Sequence, residues 1–300
     1  MVRLSAALGV ACDAVARTRG FPARPSAPPG FRAVYPLTLA AVAFVLVAAG
    51  CGGAKQPIAT TPPPKPFRIV FPEGFTRAQM AERVQAVAKI AFNERHVHPK
   101  ISARTYLKAS RPQHVAGFGA GKLPLEGFLF PALYDFLTNT TSKQLVAAQL
   151  QAFHVEWSKV DLSYARSKNL TPYDVLKIAS IVEREAVVPS ERKLVAAVIY
   201  NRLHVHMPLG MDSTIRYGLN VPGTKPLLQS DLDSNNPYNS RKFLGLPPTP
   251  IANPGLPSIE AAAHPAHVDY LYFVRKPDHR HHYFTSNYND FVNHEHLYGY

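Results

Sequence analysis

The sequence predicts an α+β protein. Three observations carry that expectation: Phe67–Phe71 alternates as a strand does, apolar residues recur at helical spacing between Val175 and Leu203, and two β-rich segments, Tyr270–Val274 and His282–Thr285, stand near the C-terminus. Three hundred residues, 46% hydrophobic and 18% charged, supply one substantial core or two small ones, and 28 prolines imply much loop or extended chain.

The first element is an apolar run, Leu37 to Gly50, without a charge, preceded by Arg24 and Arg32 and followed by Cys51. Spanning helices want about 20 apolar residues and signal-peptide cores about 10–14, so the length favours export. Ala48-Ala49-Gly50-Cys51 reads as a lipobox, with the Cys51 thiol as a lipid anchor; the long leader before the run implies either that translation starts after Met1 or that the run is retained as a single-span anchor. Either way residues 1–51 are a leader plus anchor at the cell membrane, and the rest of the chain is expected outside the cytoplasm. The formal charge is +13, and after residue 50 the chain still holds 28 basic against 19 acidic residues. A basic surface suits polyanions, and export turns the choice from nucleic acid to the membrane or an acidic wall. Cys12 and Cys51 are the only cysteines, so the exported part has no disulfide to form.

Residues 52–66, proline-rich, read as an extended tether. Phe67–Phe71 is the first strand, Pro72-Glu73-Gly74 a turn, and Thr76 with Gln79 a capping box opening a helix through Met80, Val84, Val87 and Ile90. Ser110 to Gly127 is rich in Gly and Pro and reads as loop. A helix from Ser142 to about Ser158 follows. Thr171-Pro172-Tyr173-Asp174 combines a cap, Pro at the first helical position and an acid in the first turn, and Pro189 ends that helix. Another restarts at Ser190 and runs to Leu203. Beyond Met207 the density of turn formers predicts ordered loops, closed by a hairpin of Tyr270–Val274 and His282–Thr285 turning at Pro277–Arg280.

Glu183 is the acid of chemical interest. Its helical neighbours Leu176, Ala179, Ala186 and Val187 make an apolar face, and a desolvated carboxyl there would have a raised pKa, as a general acid needs. The plainer alternative is a Glu at the solvent edge of its helix. Glu185 points about 200° away and cannot flank the same bond; an ion pair with Arg184, Arg192 or Lys193 is its expected job. Glu126, set in an apolar segment, either caps a turn or enters a ligand cleft. Late histidines (His264, His267, His279, His281, His282, His294, His296) raise a zinc hydrolase as a rival, but no ligand motif accompanies them, and neither a metal nor another cofactor is expected. No esterase elbow, P-loop or dinucleotide fingerprint is present.

Ala179-Ser180-Ile181-Val182-Glu183-Arg184-Glu185, followed by Asn201-Arg202-Leu203, Met207 and Asp212, closely resembles the endolytic murein transglycosylase family, the YceG-like proteins. Further blocks agree in order: Phe71–Thr76, Leu125–Pro131 with Tyr134, Pro237-Tyr238-Asn239, Gly245–Pro248, Pro250–Gly255 and Asp269–Phe273. The resemblance implies a small LysM-like β-α module at 67–115 followed by a mixed α/β catalytic domain at 116–300. It implies glycan strands of peptidoglycan as substrate, no cofactor, and peptidoglycan synthases as further partners. It makes Glu183 the catalytic acid/base and, with residue chemistry, puts Glu126, Asn201, Asp212, Tyr217, Tyr238 and Asn239 in the substrate groove. Departures are a short linker, Gly210-Met211 before Asp212, Asn236 before Pro237, and the lack of the family's closing Glu-His-Asn. The rivals are a noncatalytic wall-binding lipoprotein and the zinc hydrolase.

Overall fold

A computed structural model describes residues 65–300. The apolar run at 37–50, Cys51 and most of the tether fall outside the described residues. Strand β1 (Phe67–Val70) alternates in burial, with Ile69 fully enclosed. Helix α1 (Arg77–Arg95) opens on the expected capping box of Thr76 and Gln79 and buries Met80, Val84 and Val87, while Ile90 is half exposed. A short α2 (Ala103–Ala109) packs on α1 and has its own capping box, Ser102 with Thr105.

The stretch expected to be loop contains a two-residue hairpin, β2 (Gln113–His114) against β3 (Lys122–Leu123), which straddles residues 115 and 116. Its neighbour β4 (Leu133–Phe136) runs antiparallel to β1, with Phe67 opposite Phe136 and Val70 opposite Leu133. Residues 67–115 and the chain beyond thus share one sheet, and the described residues pack as part of a single compact unit.

Helix α3 (Ser142–Trp157) ends one residue before the expected limit. Phe153 and Trp157 meet Phe118 and Phe128, an aromatic cluster that stacks through Phe128 onto Tyr173 at 5.9 Å. After the single turn α4 (Ser163–Ser167) comes the central helix, α5 (Pro172–Glu185), with Thr171 as cap and all residues from Val175 to Val182 buried except Lys177. A helix covered on nearly every side must have partners all round. They are α6 (Arg192–His204), α7 (Asp212–Leu219) and α9 (Leu256–Ala263); the small α8 (Gln229–Leu232) packs on α7.

The expectation of irregular chain beyond Met207 is corrected by α7, α8 and α9. They are short and lie among prolines, so no helical period accumulates before a turn former interrupts it. The helix expected from Ser190 begins instead with a 3₁₀ turn, Pro189–Glu191. The hairpin forms as β5 (Tyr272–Arg275) and β6 (His282–Thr285), one strand starting two residues later than expected. It is pinned by a buried pair: His282 donates its backbone N–H to Glu191 Oε1 at 2.9 Å, and its Nδ1 lies 2.7 Å from Glu191 Oε2. The final helix α10 (Tyr288–Tyr298) lies on that hairpin through Tyr288 and Phe291. Among the described residues no helix is long and apolar enough to cross a membrane.

Candidate active site

Glu183 sits in the last turn of α5, half buried. Its surroundings come from three directions. The backbone N–H of Gly255, the residue capping α9, donates to Glu183 Oε2 at 3.1 Å, and the Ser258 hydroxyl of the same helix turn is a second hydrogen-bond partner. Arg192, at the start of α6, holds Ser258 by Nε–H donation to Oγ at 3.1 Å. The turn at Glu73-Gly74 closes the third side. Gly74 is left-handed at φ +75°, a conformation that glycine adopts without strain, and a side chain there would grow toward Glu183 Cγ.

Burial pushes the Glu183 carboxyl above its ordinary range; the donors Ser258 and Gly255 oppose that, the Glu73 carboxylate adds to it and Arg192 opposes it. The result is a carboxyl that holds a proton better than a free one, yet still reaches solvent. That combination suits proton transfer to a leaving group and back.

Glu126 is placed elsewhere. It is 6% exposed; Oε1 accepts from the Arg77 N–H at 2.9 Å and Asn253 Nδ2 at 2.8 Å, and Oε2 from the Tyr217 hydroxyl at 3.1 Å. Burial, its largest influence, raises it to about 7 against those donors. Of the two roles open in the sequence, the hydrogen bonds match the capping one: Glu126 ties the first turn of α1 to α7 and to the 253 loop. Tyr217 meets Tyr238 edge-on at 5.0 Å, and the Tyr238 hydroxyl bonds Thr249 at 2.8 Å.

The remaining candidates are scattered. Asp212 is exposed and paired with Arg241 at 2.8 Å. Asn239 is fully buried and donates to Leu232 O and Ser234 O, organising its own loop. Asn201 donates to Val268 O and Tyr270 O at 2.9 Å each, beside recesses of about 590 and 760 Å³ that Glu183 does not line. None of the six has Glu183 as a hydrogen-bond partner among the described residues. Glu185 is corrected too: no ion pair forms there, and its Oε1 is buried without a partner. The residues that do surround Glu183, namely Glu73, Gly255, Ser258 and Arg192, are missing from the expected groove. In the sequence Glu73 and Gly255 stand in turn-forming segments that belong to the family-like blocks, and nothing local marks either as a neighbour of Glu183. No group of His, Cys, Asp and Glu side chains among the described residues has the arrangement to hold a metal ion.

Comparison with known proteins adds the family. The YceG-like family matches residues 54–296. The chain belongs to the YceG-like family. Its similar relatives include two proteins named endolytic murein transglycosylase. The one from Bacillus subtilis (strain 168) is 36% identical over 219 residues, covering 70% of this chain and 59% of that protein. The one from Streptococcus pneumoniae (serotype 2, strain D39) is 34% identical over 237 residues, covering 74% and 43%. The chain therefore spans about half the length of these curated relatives. A crystal structure of a yceG-like protein from Listeria monocytogenes superposes with a TM-score of 0.64 at 30% identity, covering 77% of this chain and 75% of that one. The mixed α/β architecture is thus a YceG-like one, and in this YceG-like chain the α5–α9 contact carries the exposed edge of the Glu183 carboxyl.

Proposed function

We propose that this protein is an endolytic murein transglycosylase, cutting peptidoglycan glycan strands between N-acetylmuramic acid and N-acetylglucosamine, with Glu183 as its single acid/base. The observation that carries this reading is the half-buried Glu183 carboxyl, raised by burial and held by Gly255 N–H and Ser258. Protonated Glu183 donates to the glycosidic oxygen, the C1–O bond breaks, and the resulting carboxylate takes the proton of the muramic 6-hydroxyl as that oxygen bonds C1. The product is a 1,6-anhydro ring. Because the nucleophile is already part of the substrate, no second carboxylate is needed to activate water. The two relatives named for this activity support the reading.

Several finer parts belong to the same proposal. Residues 67–115 act as a LysM-like wall-docking module, the 37–51 segment anchors the chain at the membrane with the folded part outside, and synthases that extend glycan strands are its neighbours. Asp212 and the Tyr217–Tyr238 pair contact the glycan strand away from Glu183 rather than at its carboxyl.

The test uses the full chain and its Glu183→Gln variant on uncross-linked glycan strands, with new ends identified by mass spectrometry. Wild type should produce anhydromuramic ends, Glu183→Gln should lose at least about 100-fold in rate, and EDTA should change neither. Reducing ends would make the protein a hydrolase. Cleavage lost with EDTA and restored by zinc would favour the metal rival, and folded but inactive wild type would favour a wall-binding role.

A further inference from the structure

Glu73 is the acid that the mechanism above leaves without a task. Its turn is stitched to the 253–255 segment by two backbone hydrogen bonds, Gly74 N–H to Asn253 O at 2.9 Å and Asn253 N–H to Phe75 O at 3.0 Å. That register lays the exposed Glu73 carboxylate directly on the Cα of Gly255, so closely that any Cβ at 255 would collide with Oε1. The same Gly255 gives its N–H to Glu183. One bare backbone residue therefore has a carboxylate on each side.

We propose that Glu73 is a positioning residue of this site, a carboxylate set beside Gly255 that acts through Glu183 to keep the proton there while substrate binds. This rests on the transglycosylase reading above and adds a regulator to the same site. The charges facing Glu183 are few. Arg192 approaches from α6 through Ser258 and favours the ionised acid, while Arg184, on α5 itself, turns its Nη1 to Gly74 O at 3.4 Å. Helix α9 presents Ser258, its own acid Glu260 being on the exposed face. Beside burial, Glu73 is the charged group that opposes Arg192. Neutral Gly255 explains why the opposition can act at short range: any larger residue would push Glu73 away.

The sign follows from like-charge repulsion. An ionised Glu73 disfavours ionised Glu183, so Glu183 stays protonated to higher pH, and removing the charge should move the alkaline limb of the activity profile downward. The experiment measures kcat/KM against pH for full-length wild type, Glu73→Gln and Glu73→Asp, with Glu183→Gln as control. For Glu73→Gln the alkaline limb should fall by about half to one pH unit, a loss of about 3- to 10-fold on that limb, with less than about 2-fold change on the low-pH plateau. Glu73→Asp, which keeps the charge, should follow wild type. A Glu73→Gln limb that overlays wild type, or a loss equal at every pH, overturns the proposal. So does a Glu73→Asp profile that follows the Gln variant. Anhydromuramic products from wild type but not from Glu183→Gln confine such a failure to Glu73, whereas a wild type without those products overturns both readings.

Discussion

Glu183 and Glu126 are both pushed above the ordinary carboxylate range, and in both the first cause is burial. What separates them is access. Glu183 keeps an edge toward solvent, while Glu126 is enclosed and its oxygens are engaged by Arg77, Asn253 and Tyr217. For Glu126 the raised value has a consequence for stability. Folded, it holds its proton up to about pH 7; unfolded, it would release it near the ordinary 4.5. Its contribution is therefore complete below about pH 4.5 and is lost as pH rises toward 7, amounting to at most about 3 kcal/mol. Urea midpoints of wild type should decline across that window, and Glu126→Gln, which cannot titrate, should decline less. Equal slopes for the two proteins would remove Glu126 as the source. Activity of Glu126→Gln at its stable pH should remain within a few-fold of wild type if the residue acts as a brace.

The elements that hold Glu183 are pinned at ends of unequal value. At the far end of α5, Thr171 and Asp174 form a reciprocal cap with Thr171 accepting the Asp174 N–H at 3.2 Å. That cap is exposed to water, so Thr171→Ala should cost about 1 kcal/mol in urea unfolding. The 3₁₀ turn before α6 is pinned by Glu191 to His282, a contact whose side chains are 9% and 2% exposed. Glu191→Ala leaves the His282 backbone N–H and ring nitrogen buried without their acceptor, and should cost about 3 kcal/mol or more. Arg192 follows Glu191 directly, so loosening this turn should also lower the rate at Glu183. A Glu191→Ala protein as stable as Thr171→Ala would contradict the buried-pair account. Close approach of α9 to α5 is made possible by Ser258, Ala261 and Ala262, all buried small residues, and Gly127 shows the same economy of volume: a Cβ there would meet Pro250 at 2.7 Å.

At the scale of the whole molecule, the first and last thirds of the described chain meet at the site. β1 pairs with β4, Phe71 packs on Tyr106 and Tyr134, and Asn253 accepts from Gly127 and Leu129 through Oδ1 while donating to Phe75 O. A fragment beginning at residue 116 would strip β4 of its partner, remove Phe71 from Tyr134 and leave the buried Gln149 without the Tyr106 hydroxyl. We expect that fragment to be insoluble or to lack a cooperative thermal transition, while the chain from 67 onward unfolds in one step by calorimetry. Two separate transitions in the longer chain would mean that the 67–115 module folds by itself.

What the amino-acid sequence determined by itself is local: the capping boxes at Thr76 and Thr171, the long helices α1, α3 and α5, and the β5–β6 hairpin all follow from patterns within about 15 residues. The acid Glu183 was legible as well, first as a carboxyl on an apolar helical face and then from the family-like blocks around it. Tertiary structure decided the rest, because it depends on residues far apart in sequence. Glu73 and Gly255 lie 182 positions apart and meet only once the 71–76 and 253–255 segments pair. Glu126 takes its hydrogen bonds from donors 49, 91 and 127 residues away. Helices α7 to α9 are too short to impose a period of their own; α7 and α9 hold their shape because α5 offers them a surface to cover, and α8 packs in turn on α7.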